Sequence, residues 1–138
     1  EGGEKSNVSL EGIKFLCAED NELNAEILTE LLHMEGAECT ICGNGKFVLD
    51  EFERSKPGQY DVILMDVQMP IMNGYEATRA IRAGKNPLGA TIPIFAMTAN
   101  AFSEDIQRSY EAGMDGHLSK PVDLDMLKNA IYSLHEVG

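Results

Sequence analysis

Basic residues are scarce in this sequence. Its 138 residues carry 11 Lys and Arg against 23 Asp and Glu, a formal net charge of −12 at pH 7. A surface that negative repels phosphate backbones and anionic membranes, which argues against direct nucleic-acid binding and for a bound cation or a basic partner patch. Long apolar runs are missing too. None approaches the ~20 residues that cross a bilayer, and no signal-peptide pattern is present, so membrane contact by this segment and secretion are not expected. Cysteine is sparse, at three residues, and without framework spacing, which suits a reducing, cytoplasmic setting. Cys39 and Cys42 form a C-x-x-C, but inside a strand pattern. Residues three apart on a strand face opposite sides, so these two thiols are expected to diverge. Nucleotide signatures are absent as well: there is no G-x-G-x-x-G, and Gly45-Lys46 lacks P-loop spacing.

What is present is an ordinary globular composition, 43% apolar and 25% charged, at a length close to the ~150 residues of a one-domain prior. Residues 1–11 are polar, glycine-rich and aperiodic and follow no initiating Met. They read as a linker, and the chain as a piece of something longer, with the folded domain over 12–138. From there short apolar runs alternate with helical periods. Strands are expected at 13–18, 37–42, 61–65, 92–97 and 115–119. Helices are expected between them: one capped by Asn21 with the stripe Leu23, Ile27, Leu28, Leu31 and Leu32, then 46–54, 75–83 and 104–111. The last is capped by Asp123, with Leu124, Leu127, Ile131 and Leu134 inward. Five strands each followed by a helix demand a parallel sheet covered on both faces. The expected fold is α/β, flavodoxin-like (βα)5, doubly wound, in the strand order 2-1-3-4-5.

In such a sheet the ligand site lies at the carboxyl ends of the strands. Those ends supply Glu19 and Asp20, then Asp66, Thr98 and Lys120. Three clustered carboxylates repel one another unless a cation joins them, and a hard oxygen-seeking ion such as Mg²⁺ fits that donor set. No His or Cys stands near in zinc-ligand spacing. A carboxylate beside Mg²⁺ and a lysine is the equipment for phosphoryl transfer to oxygen, with the carboxylate as nucleophile.

Four segments carry a resemblance: Ala18-Glu19-Asp20-Asn21, Leu64 to Gly74 (LMDVQMPIMNG), Met97-Thr98-Ala99-Asn100-Ala101 and Leu118-Ser119-Lys120-Pro121. In this order, across 13–136, they resemble the motifs of response-regulator receiver domains, most of all those of hybrid sensor histidine kinases. The resemblance implies two-component signalling in which Asp66 accepts a phosphoryl group from phosphohistidine. It implies Mg²⁺ held by Asp20, Glu19, Asp66 and the backbone carbonyl of Gln68. Lys120, before a cis Pro121, would pair with the phosphoryl group. Thr98 would bond a phosphoryl oxygen and move inward, Ala99 would leave room, and Gln68 and Asn100 would tune dephosphorylation. The switch position usually held by Tyr or Phe is His117 here, which departs from the common pattern. The implied partner is a histidine kinase or histidine phosphotransfer domain, docking on a rim of Met69, Ile71, Met72, Leu23, Asn24, Ile27 and Pro121, and the implied state is a monomer or weak homodimer. Such a domain catalyses only its own phosphorylation and dephosphorylation, while the parent chain would be a kinase. The competing readings are an interaction module indifferent to phosphorylation, and an aspartate-nucleophile phosphatase. The second has the weaker pattern, since Asp66 follows the third strand rather than the first and its +2 residue is Gln68, not Asp.

Overall fold

The structure, a computed structural model, describes residues 9–99 and 103–137, apart from the side chains of 103 and 135–137. Residues 1–8 of the expected linker and Asn100 lie outside the described residues. Five strands and five α-helices alternate: β1 (Lys14–Ala18), α1 (Glu22–Met34), β2 (Glu38–Cys42), α2 (Gly45–Glu53), β3 (Val62–Asp66), α3 (Gly74–Ala83), β4 (Ile94–Thr98), α4 (Ser103–Ala112), β5 (Gly116–Ser119) and α5 (Leu124–Val137). All strand pairs are parallel, in the order β2-β1-β3-β4-β5. This is the expected doubly wound topology.

Strand alternation builds two cores from one sheet. Leu16, Ala18, Ile63, Met65, Ile94 and Ala96 face α2 and α3, meeting Val48, Phe52, Ala77 and Ile81. Phe15, Cys17, Leu64, Phe95, Met97 and Leu118 face α1 and α5, meeting Leu28, Leu32, Leu127 and Ile131. The central strand β3 is buried along its whole length, as a strand covered on both faces must be.

Several boundaries differ from expectation for local reasons. β3 starts one residue late because Asp61 turns its carboxylate onto the Lys14 amide, and Asp66 becomes the last strand residue, paired with Met97. β4 starts two residues late: the Ile92 amide bonds Leu88 O, and Pro93 has no N–H to offer a ladder. An unanticipated 3₁₀ turn at Pro87–Ala90 precedes it, capped by Asn86, whose Oδ1 accepts from Leu88 N–H. The α1 stripe is wider than the line along which the helix meets the sheet. Leu28 and Leu32 are buried, whereas Leu23 and Ile27 stay 64% and 48% exposed.

One clamp was invisible in the sequence. Arg82 of α3 donates from Nε to Gly113 O, from one terminal nitrogen to Gly89 O and Ile92 O, and from the other to Asp115 Oδ2, at 2.7 to 3.0 Å. It ties α3 to the approaches of β4 and β5, the two strands whose ends carry Thr98 and Lys120.

Candidate functional site

The loop after Asp66 must turn sharply to keep its backbone beside the strand end. Asn73 and Glu76 do this with reciprocal capping bonds, Asn73 Oδ1 accepting from Glu76 N–H at 2.9 Å and Glu76 Oε1 from Asn73 N–H at 3.0 Å. Gly74 lies against Asp66, where a Cβ would sit 2.4 Å from the Asp66 carbonyl oxygen, so only glycine lets α3 begin there. Within the loop, Met72 N–H bonds Pro70 O at 2.7 Å across Ile71, whose φ is +71°. That is a γ-turn, an uncommon conformation for a β-branched residue.

At the strand ends Glu19 and Asp66 are buried, 4% and 3% exposed, and Asp20 is exposed. One carboxylate oxygen from each of the three lies within 4.8 Å of the others. Lys120 Nζ reaches in from the end of β5, 2.9 Å from Asp66 Oδ2 and 3.1 Å from Glu19 Oε1. The remaining oxygens are also engaged: Glu19 Oε2 accepts from Asn21 N–H and Asp66 Oδ1 from Gln68 N–H, both at 3.2 Å. Burial pushes the Glu19 carboxyl above its usual range, with the Asn21 and Lys120 hydrogen bonds offsetting part of that and the Asp66 charge adding to it. Burial pulls the Lys120 ammonium down, but its bonds to Asp66 and Glu19 outweigh this and leave it raised, so it stays charged. The Lys120–Pro121 bond is cis, as expected, and Lys120 N–H bonds Thr98 O at 2.9 Å, joining the ends of β4 and β5.

Glu19, Asp20, Asp66, Gln68, Thr98, Ala99 and Lys120 all line one cleft of about 150 Å³. Among the described residues, the structure therefore brings together every expected site residue except His117. His117 is half-buried in β5, paired with Ala96. Alternation puts it on the sheet face opposite Leu118, which belongs to the α1/α5 core. The expected docking rim divides in two. Asn24, Ile27, Leu28 and Leu31 of α1 share an apolar cleft of about 420 Å³ with Pro121 and Val122. Met69 and Met72 instead lean half-buried on the core, and Ile71 stands 80% exposed at the γ-turn tip. Sequence reading missed a third cleft, where Tyr75, Asp105 and Arg108 flank Thr98 and Gln68. There the Arg108 guanidinium lies 5.0 Å from the Tyr75 ring centroid. Nothing in the local sequence signals a contact between α3 and α4.

Three carboxylates and a lysine at the switch end of a 2-1-3-4-5 sheet define a class of protein, and comparison with known proteins agrees. Residues 15–132 match the response regulator receiver domain family, and the chain belongs to that family. It is 42% identical over 120 residues to the hybrid signal transduction histidine kinase I of Dictyostelium discoideum, covering 86% of this chain and 7% of that protein. It is 37% identical over 128 residues to the sensor histidine kinase RcsC of Salmonella typhimurium, covering 93% of this chain and 13% of that one. Among solved structures it resembles the receiver domain of sensor histidine kinase PA1611 from Pseudomonas aeruginosa, described with a magnesium ion in its active-site cleft. The TM-score is 0.74 and the identity 34%, covering 91% of this chain and 96% of that one. The chemotaxis protein CheY4 of Vibrio cholerae has the same fold at TM-score 0.77 and 26% identity, with 92% and 99% covered. The chain thus spans only 7% and 13% of the length of these two kinases. Among the described residues, no helix is long and apolar enough to cross a membrane.

Proposed function

We propose that this receiver domain takes a phosphoryl group from a phosphohistidine onto Asp66 in a Mg²⁺-dependent reaction and relays the signal by shifting between two conformations. The observation that carries this reading is the placement of Lys120, whose ammonium bridges Asp66 and Glu19 within a cluster of three carboxylates. The donor set suits the ion: hard oxygens, two of the carboxylates buried, and, among the described residues, no His or Cys in the cluster. Glu19, Asp20, Asp66 and the carbonyl of Gln68 would hold it. When bound, Mg²⁺ supplies neutralisation of the negative phosphoryl oxygens.

The chain's own groups do the rest. An Asp66 carboxylate oxygen attacks phosphorus in line, the nitrogen–phosphorus bond of phosphohistidine breaks, and the imidazole leaves with the bonding pair. Lys120 holds Asp66 in place beforehand and offers its ammonium to the incoming oxygens. The Thr98 hydroxyl serves a phosphoryl oxygen, and Ala99 keeps the cleft open to the donor. In the switched state Thr98 moves inward, and His117 takes the place of the usual aromatic follower. The donor is a histidine kinase or phosphotransfer domain, with its helix on the α1–Pro121 side of the site. The setting is cytoplasmic, in the receiver segment of a hybrid kinase, and the domain is a monomer or weak homodimer.

The test is intact mass after incubation with acetyl phosphate, with and without Mg²⁺, beside Asp66→Asn. One phosphoryl adduct that needs Mg²⁺, is absent in the variant and decays with time is the expected result. A protein that neither binds Mg²⁺ nor forms an adduct would sink the proposal in favour of an interaction module.

A further inference from the structure

Cys39 and Cys42 diverge as expected, Cys39 packing with the α1/α5 core and Cys42 with the opposite one. Cys39 has a different neighbour, 22 positions away in the chain: its Sγ lies 3.6 Å from Cys17 Sγ. The register pairs Phe15 with Cys39 and Cys17 with Ile41, so the two cysteines are diagonal neighbours on one face of adjacent strands. Cys17 is fully buried and Cys39 half-buried, and all three cysteines are free thiols. Thr29 of α1 completes the group, its Oγ1 3.7 Å from Cys39 Sγ.

We propose that Cys17 and Cys39 form a redox pair that a hydroperoxide closes to a disulfide, and that closure weakens cation binding at the acidic cleft. Two thiols in side-by-side contact have to approach further to reach the bond length of about 2.0 Å. Because diagonal neighbours on adjacent strands stand about 7–8 Å apart at Cα, closure requires β1 to move against β2 as well as side-chain torsions. Cys39 is the attacking group because it is the more accessible. Its hydrogen bonding with Cys17 and Thr29 also outweighs burial and lowers its thiol. The Cys39 thiolate attacks the outer peroxide oxygen, the O–O bond breaks, and with one proton an alcohol or water leaves and Cys39 becomes a sulfenic acid. The Cys17 sulfur then attacks the Cys39 sulfur, the S–O bond breaks, and water leaves with the Cys17 proton. Two cysteine thiols are oxidised and one peroxide is reduced. Cys42 serves as the built-in control: it lies on the other face, and burial holds its thiol up at about 11. In a reducing compartment a pair of this kind is transient and sensing rather than structural.

The consequence for the cleft follows from the chain. Cys17 stands two residues before Glu19, and Glu19 N–H bonds Cys42 O at 3.0 Å in the same β1–β2 ladder. Drawing the strands together at Cys17 and Cys39 shifts that ladder, and a close-packed interior passes the shift on. This second step rests on the acidic cluster being a Mg²⁺ site, whereas the disulfide does not.

The experiment treats the reduced domain with hydrogen peroxide, alkylates it, and reads intact mass, peptide map and Mg²⁺ titration calorimetry. Expected are a loss of two hydrogens, a cross-linked peptide joining Cys17 to Cys39, reversal by dithiothreitol, and persistence in Cys42→Ser. The cross-link is lost in Cys39→Ser, with Cys17→Ala as a second blocking variant should one of them unfold. Oxidised protein should bind Mg²⁺ about tenfold more weakly, the low end for disturbing the supports of metal ligands. A protein that stays reduced, stops at sulfinic acid on Cys39, or joins Cys39 to Cys42 overturns the pair. A mapped Cys17–Cys39 bond with unchanged Mg²⁺ affinity overturns the coupling. Failure of the reduced protein to bind Mg²⁺ sinks the reading of the cleft, and the peptide map still decides the pair.

Discussion

Replacing Lys120 by Met should destabilise the metal-free domain and make it depend more strongly on Mg²⁺. The ammonium sits 2.9 Å from Asp66 and 3.1 Å from Glu19, with Asp20 beside them. At an effective dielectric of about 20, each of those contacts is a gross attraction of about 5 kcal/mol, most of it cancelled by the cost of desolvating the charges. Removing one member of a fully buried pair costs about 3–5 kcal/mol, because the other charge is left uncompensated. Two features lower that figure here. The Lys120 side chain keeps 23% exposure, and the Glu19 carboxyl, already held above its usual range by burial, can take a proton. The net cost is then about 2–3 kcal/mol, which for a chain of this size lowers Tm by about 6–10 °C. Mg²⁺ no longer shares the carboxylates with an ammonium in the variant, so its stabilisation through binding the folded state should exceed that of the wild type. Thermal melts of both proteins, with and without Mg²⁺, check this. A metal-free variant that melts with the wild type, or one that gains less from Mg²⁺, would refute the view of Lys120 as the resident counter-charge of the cleft.

Other outcomes follow from the same geometry. Gly74→Ala drives a Cβ to 2.4 Å from the Asp66 carbonyl oxygen and 2.9 Å from the Val67 Cα. These are backbone atoms that cannot swing aside, so a loss of about 2–3 kcal/mol in urea unfolding is expected, with slower phosphoryl adduct formation. Arg82→Met leaves the carbonyls of Gly89, Ile92 and Gly113 without the guanidinium. It should cost about 2–4 kcal/mol in the same assay, and a change below about 0.5 kcal/mol, typical of ordinary surface substitutions, would remove the clamp from the account. Because burial raises the Glu19 carboxyl above 4.5, the metal-free fold holds that proton more tightly than the unfolded chain. Through this group the metal-free fold therefore gains relative stability as pH falls through the raised value. Mg²⁺ must displace the proton, so its affinity should decline on acidification from above pH 4.5, with proton release visible in calorimetry in buffers of different ionisation enthalpy. Glu19→Gln should abolish that component of the pH dependence, and an unchanged profile would refute it.

Much of the architecture was legible because it depends on period and order. Short β-branched runs between helical stripes require a parallel sheet, and a parallel sheet places Glu19, Asp20, Asp66, Thr98 and Lys120 at one end whatever the details of packing. The N-caps at Asn21 and Asp123 were readable for a similar reason, since a cap acts within three residues of itself. The outward face of α1 was not readable. Leu23 and Ile27 share the apolar stripe with Leu28 and Leu32, and only the packing of the folded chain separates the first two, left exposed, from the buried last two. The 3₁₀ turn at Pro87–Ala90 does carry a local signal, an Asn86 cap followed by Pro at the first helical position.

What the sequence by itself determined was the fold class and the membership of the acidic cleft, because both follow from the alternation of elements and from residues at strand ends. Contacts between residues far apart in the chain were decided by the tertiary structure alone. Arg82 reaches three carbonyls and Asp115, Arg108 lies over Tyr75, and Cys39 turns from its sequence neighbour Cys42 to Cys17. Local spacing states which face a side chain takes, but the strand order and register state what it meets there.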